Sequence, residues 1–167
     1  MTKRLETLRD VPEIPGVRTR TYEGTDDVSR WLQLRRKAFA REQPGVRDWQ
    51  ALDFEQEFLA KPWWQPDRSW LAEDVAEDES RPLTIGAVTL ALRGEGESAR
   101  PVVHWLCTLP AWRRRGVGNL LMTTLENYAY AAGYRQLWLE THERWASAAM
   151  FYRAIGYELA EDCGQSS

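Results

Sequence analysis

Cysteine is nearly missing from this chain of 167 residues: Cys107 and Cys163 are the only two. They form no CxxC pair, so no disulfide framework is expected, and a reducing compartment, the cytoplasm, is the default location. Histidine is equally scarce. His104 and His142 have no paired ligand spacing and the acids near them are scattered, so no metal site is expected. Lysine is reduced to Lys3, Lys37 and Lys61 among 22 basic residues, and the formal net charge is −3. That balance excludes a surface built as a whole for nucleic acid. No apolar run approaches the roughly 18 to 20 residues that cross a bilayer. The opening MTKRLETLRDVPEIPG has no apolar stretch of a secretory leader, so membrane association is not expected. There is no internal repeat, no linker between two cores, and no GxxxxGK[ST] phosphate loop.

What is present is the composition of one globular domain, 43% apolar and 28% charged, with nine tryptophans. A chain this long buries roughly 70% of its unfolded surface and needs no covalent staple. Residues 1–16, with Pro12, Pro15 and Gly16, read as an arm, and 17–167 as a single domain. Val17 to Tyr22 alternates apolar and polar and predicts a first strand. Thr25, Asp26 and Asp27 read as an N-cap and acidic first turn for a helix to about residue 40, with Val28, Trp31, Leu32 and Phe39 at helical spacing. Asp48 is a cap for a second helix carrying Trp49, Leu52, Phe58 and Leu59, which Pro62 must end. Strands follow at 70–74, 83–92 and 102–109. Of these the second is apolar almost throughout, as in a central strand.

From about 115 to 132, Val117, Leu120, Leu121, Leu125, Tyr128, Ala129 and Ala132 mark an amphipathic helix that Gly133 stops. A short strand at 136–140, a helix at 145–155 and a last strand from Tyr157 complete the order β-α-α-β-β-β-α-β-α-β. This is an α/β mixed sheet with helices on both faces.

The most informative stretch is Leu109 to Leu121, LPAWRRRGVGNLL. It passes from a strand through a proline stop into three arginines and two glycines, then into the long helix. A helix N-terminus offers unpaired N–H groups and about half a positive charge. Glycine at 116 and 118 lets an anionic group approach that backbone, and Arg113, Arg114 and Arg115 add charge. Each charge-assisted hydrogen bond is worth about 1.5–3 kcal/mol, so several could hold a diphosphate. A GxGxxG dinucleotide fingerprint is ruled out because position 121 is leucine. The competing reading is a solvated basic turn.

Arg113 to Gly118 fits the [QR]-x-x-G-x-[GA] signature of the GNAT superfamily of N-acetyltransferases, with Pro110 three residues ahead of it. Ala148-Ala149-Met150-Phe151-Tyr152-Arg153-Ala154-Ile155-Gly156-Tyr157 resembles that family's A-x-x-x-Y-x-x-x-G-[FY] segment. One helix and one strand join the two motifs, and the resemblance runs from about residue 83 to 160. It implies a GNAT-like fold with splayed central strands and acetyl-CoA as co-substrate. It also implies pantetheine paired with the backbone of Leu106, Cys107 and Thr108. The diphosphate would rest on N–H groups from Arg113 through Arg114, Arg115, Gly116, Val117 and Gly118 to Asn119. Ala148 and Phe151 would lie along the donor, and Tyr152 would donate a proton to the departing thiolate. Two departures stand out: Trp145 occupies a position commonly held by Asn, and only ten residues follow Tyr157, so the usual last hairpin looks truncated. A second copy forming a homodimer is one way to complete it.

The acceptor amine needs a route for its proton. Freeing a lysine-like amine at pH 7 costs about 4.6 kcal/mol and an α-amine only about 1 kcal/mol. His104, expected from strand alternation on the same side as Leu106 and Thr108 and opposite Trp105 and Cys107, is the first candidate base, and Glu140 the second. His142 and Glu143 read as solvated loop residues, Cys107 as a buried apolar filler. Trp31, Phe39, Trp49, Phe58, Trp63 and Trp64 suggest an acceptor cleft for an apolar or aromatic amine, although at least half of them are expected to be core.

The expected activity is acetyl transfer from acetyl-CoA to a primary amine of a small molecule or peptide. The alternatives are a non-catalytic CoA-binding sensor or scaffold and, least supported, a nucleic-acid binder using Arg113 to Arg115.

Overall fold

The computed structural model describes residues 1–42, 45–142 and 144–160. Six strands form one sheet in the order β1-β6-β5-β4-β3-β2. Its strands are β1 (Thr2–Arg4), β2 (Val17–Thr21), β3 (Ser69–Asp74), β4 (Leu83–Arg93), β5 (Arg100–Thr108) and β6 (Gln136–Leu139). All neighbours run antiparallel except β5 and β6, which are parallel. The helices are α1 (Thr25–Phe39), α2 (Ala51–Phe54), α3 (Val117–Ala131) and α4 (Ala146–Ala154).

The apolar run of β4 does lie at the centre, buried from Thr84 to Ala91. Register assigns its faces. Gly86 and Val88 stand opposite Ala72 and Trp70 of β3, and a Cβ at Gly86 would come within 2.9 Å of Leu121 and Val117, so this face carries α3. Trp70 meets Tyr128 of α3 edge to face, at 5.3 Å between centroids. The opposite face, with Ala87 and Thr89, carries α1 and α2. There Trp31, Leu34, Phe54 and Phe58 join the sheet side chains in one core.

Two starts differ from the sequence reading. Thr25 is the first residue of α1 rather than its cap; Gly24 holds the cap position without a side-chain bond. At α2 the cap is Gln50, in a reciprocal capping box with Asp53, while Asp48 pairs with Arg36 at 3.1 Å. A wider π-type turn at Glu55–Leu59 follows and ends before Pro62.

The first sixteen residues are more than an arm. Thr2, Lys3 and Arg4 pair antiparallel with Trp138, Leu137 and Gln136 at the outer edge of β6, where a closing C-terminal hairpin would otherwise have to add a strand. The strand expected from Tyr157 is a single bridge, Glu158 to Thr2, on the far side of β1. Between β1 and β2 the chain crosses α3, where Arg9 bonds Glu126 and Asn127.

Candidate active site

Parallel pairing of β5 with β6 covers only Val102–Trp138 and Val103–Leu139. Beyond it the strands part, and β5 runs on to Thr108 without a strand on that side. The departure coincides with a bulge. Ala87 faces Cys107 but Thr89 faces His104, so Trp105 and Leu106 together oppose Val88. Trp105 takes the left-handed conformation, φ 50, unusual for a bulky side chain.

The extra residue overturns the expected alternation. His104 and Cys107, opposite Thr89 and Ala87, both face α1, and the Trp105 ring lies on the same side. That ring packs against Phe39 (5.8 Å), Trp49 (5.3 Å) and Trp31 (6.4 Å). His104 is enclosed by Phe58, Trp63 and Trp105 at 5.4, 5.7 and 5.9 Å. Burial first, then the positive charges of Arg93 and Lys61, push its imidazole down to about 4. It is therefore neutral at pH 7 and a weak base. Glu140, just past β6, is exposed and accepts a 2.7 Å hydrogen bond from Arg93 Nη1.

Tyr152 sits on α4, 9% exposed, its ring against Phe151 and Tyr157. Burial, reinforced by Cys107 nearby, raises its phenol above the ordinary value, so it stays protonated. Burial likewise pushes the Cys107 thiol up to about 12, which makes it an inert filler. Cys163 and Glu143 lie outside the described residues. Trp145, at the foot of α4, stacks obliquely on Phe39 at 5.7 Å and so joins α4 to the end of α1.

The turn before α3 has the expected backbone and a different division of labour among its side chains. Pro110–Trp112 forms one 3-10 turn; Arg114 (φ 59) and Gly116 (φ 87) are left-handed. The first turn of α3 has no side-chain cap, so its leading N–H groups carry no capping side chain among the described residues. Arg113 is turned away: its guanidinium bonds the carbonyl of Ala38 and lies 3.5 Å from Glu42, anchoring the end of α1. Arg115 stacks over Trp112 at 3.8 Å. Gly118, expected to matter for anion approach, has a packing role: a Cβ there would stand 3.0 Å from Phe151 Cζ. Among the described residues no three His, Cys, Asp or Glu side chains group as metal ligands. Nor is any described helix long and apolar enough to cross a membrane.

Of the six aromatics expected around an acceptor cleft, Trp31, Trp49 and Phe58 are buried core, whereas Phe39, Trp63 and Trp64 keep part of their surface. Arg35 went unremarked in the sequence. It falls in the same helical stripe as Trp31, Leu34 and Ala38, and a charged residue in that stripe was the available signal.

A sequence model of the acetyltransferase (GNAT) family matches residues 30–157. The mycothiol acetyltransferase of Thermobispora bispora is 28% identical over 161 residues, covering 94% of this chain and 52% of that protein. The Mycobacterium marinum mycothiol acetyltransferase is 34% identical over 148 residues, covering 81% and 44%. The chain thus spans about half the length of the curated relatives it matches. An aminoglycoside N-acetyltransferase solved in complex with CoA superposes with a TM-score of 0.60 at 20% identity, over 89% of this chain and 94% of that one. With strands that part beyond Val103, an uncapped glycine turn ahead of α3, and a matched region that takes in both, this chain belongs to the acetyltransferase (GNAT) family.

Proposed function

We propose that the chain transfers an acetyl group from acetyl-CoA to a primary amine. The observation that carries this reading is Tyr152, buried and protonated beside Cys107 on the part of β5 that β6 no longer pairs. The residues fit the donor. The open edge of Leu106, Cys107 and Thr108 can pair with the amides of pantetheine. The amides from Arg114 to Asn119, with Gly116 left-handed, form a seat for the diphosphate, and the side chains of Arg114 and Arg115 stand next to it. Arg113, expected to add both an amide and charge, adds neither: its N–H donates to the Pro110 carbonyl at 3.3 Å and its guanidinium to that of Ala38. Phe151, pressed on Gly118, walls the donor channel between α3 and α4.

In the transfer the amine nitrogen bonds the acetyl carbon, the carbon–sulfur bond breaks, and the Tyr152 phenol supplies the proton to the departing thiolate. The amine must shed its own proton, and among the described residues the site offers no strong base for this. His104 is pushed to about 4, and Glu140 is committed to Arg93. We therefore assign the acceptor to amines of low basicity, nearer an α-amine than a lysine side chain. Such an amine enters largely neutral, the proton released on attack passes to water near the neutral His104, and the Arg93–Glu140 pair guides the approach. Phe39, Trp63, Trp105 and Trp145 give the acceptor an aromatic wall. The buried free Cys107 is consistent with residence in the cytoplasm. The sheet edge beside β6 is filled by the chain's own β1, so we propose that a single copy carries the complete site.

At 100 times its Kd, acetyl-CoA stabilises the native state by about 2.7 kcal/mol, and a thermal shift of that order is expected. Thiol release across a panel of amines should then show turnover, and Tyr152→Phe should slow it roughly a hundredfold with little change in acetyl-CoA binding. A full thermal shift without turnover on any amine would favour a non-catalytic CoA sensor instead.

A further inference from the structure

Arg35 is the most unusual charge in the molecule. It lies on the inward face of α1, 3% exposed. Its guanidinium carbon lies 4.5 Å from the ring centre of Trp49 and 4.7 Å from that of Trp105, against the junction where the two indoles meet edge to face at 5.3 Å. Nη1 donates to the carbonyl of Arg47 at 2.8 Å, in the segment leading to α2. Nε is buried and has no acceptor. No carboxylate among the described residues forms an ion pair with it. The nearest acids, Asp48 and Asp53, are taken by Arg36 and Arg47.

A buried cation without a counter-ion destabilises a fold, and an apolar side chain of the same length would fill this space more favourably. Its retention therefore points away from stability. What the guanidinium does touch is Trp105, the residue whose left-handed backbone makes the bulge and sends β5 away from β6. Such a conformation persists in a bulky residue only where its surroundings hold it. One face of that hold is aromatic, from Phe39, Trp49 and Trp31. The other is the flat cation, itself anchored to the α1–α2 connection through Arg47.

We propose that Arg35 is a positioning residue for acyl transfer: packed against both Trp49 and Trp105 where the two rings meet, it fixes the bulge that sets the backbone of Leu106 and Cys107 against the thioester. The inference rests on the acetyl-transfer reading above. It assigns Arg35 to the acyl end of the donor, whereas the diphosphate turn lies beyond Pro110 and does not touch it. Loss of Arg35 therefore acts on turnover more than on donor affinity, because the diphosphate contacts are left in place. Lysine cannot substitute, because a compact ammonium cannot cover both indoles and reach the Arg47 carbonyl at once as the broad guanidinium fork does.

The test uses the full chain, with thiol release measured on the best amine of the panel and melting followed for each variant. Arg35→Met is expected to melt at or above the wild-type temperature. Its kcat should fall roughly ten- to a hundredfold while the KM for acetyl-CoA moves less than about threefold. Arg35→Lys should fail to restore kcat. A wild-type kcat in Arg35→Met would overturn the proposal, as would full rescue by lysine, which would point to charge acting at a distance. Should both Arg35 variants misfold, Trp105→Phe keeps an apolar ring while shrinking the surface under the guanidinium. Its kcat should fall with acetyl-CoA KM preserved, and an unchanged kcat would again overturn the proposal. If the wild type itself releases no thiol, the activity reading falls and takes this inference with it. A working wild type with unaffected variants removes only the inference.

Discussion

His104 is enclosed through one residue, Trp105, whose turn to φ 50 puts two consecutive side chains on the same face of β5. The consequence for titration is specific. The imidazole is held neutral down to about 4, whereas in the unfolded chain it takes a proton near 6.5. A folded-state value below the unfolded one means that the contribution to stability is complete above about pH 6.5. It is lost as the pH falls from there toward 4. Melting temperature should therefore drop more steeply over that interval in the wild type than in His104→Gln, which has no proton to take up. Parallel curves for the two proteins would show that the histidine is not shielded as described. The expected side for His104 came from strict two-residue alternation, and nothing in VVHWLCTL distinguishes a bulged strand from a regular one. The residue types at the site were legible. Their orientation was not, because a single inserted residue reverses every side chain after it.

Among the elements, α3 shows how closely a helix can be seated when the strand beneath it has no side chain. Gly86 brings β4 against Val117 and Leu121, the first turns of the helix whose start we propose as the diphosphate seat. Gly86→Ala inserts a methyl 2.9 Å from both side chains, and overpacking of this kind typically costs about 1–3 kcal/mol. Urea denaturation should register that loss, and acetyl-CoA should bind more weakly because the start of α3 is displaced. Unaltered affinity in a destabilised Gly86→Ala protein would mean that the seat moves independently of the sheet. The long, strongly periodic elements, α3 and β4, were readable to within a residue or two from their apolar spacing. The three-residue β1 was not, since so short a segment carries no period and its pairing partner lies far along the chain. The cap of α2 was misplaced for a different reason. Asp48 has the right chemistry, but Arg36 captures it, leaving Gln50 and Asp53 to close the helix start.

At the scale of the whole molecule, the cleft wall and the far sheet edge are held together by a buried network. Arg20 of β2 reaches Asp27 of α1 at 2.7 Å and Glu73 of β3 at 2.9 Å, and Arg18 and Arg30 add further bonds. Asp27 is 2% exposed. Burial alone would raise its carboxyl, but the Arg20 hydrogen bonds and the Glu23 amide prevail and hold it at about 2. Its contribution is accordingly present above about pH 4 and disappears only as the pH falls toward 2. Asp27→Ala leaves Arg20 partly buried with one partner fewer and should lower unfolding stability by about 3 kcal/mol at pH 7. A loss below about 1 kcal/mol would show that Glu73 alone satisfies Arg20.

The return of β1 to β6 also sets an order of assembly on the ribosome. The Thr2 hydroxyl bonds the carbonyl of Leu137, 135 positions away. At roughly 5–20 residues per second, the earlier partner is made about 7 to 27 s before the later one emerges. For that interval the other strands can pair while this piece waits. The outermost ribbon of the sheet is thus zipped on by a segment made well before the strand that receives it.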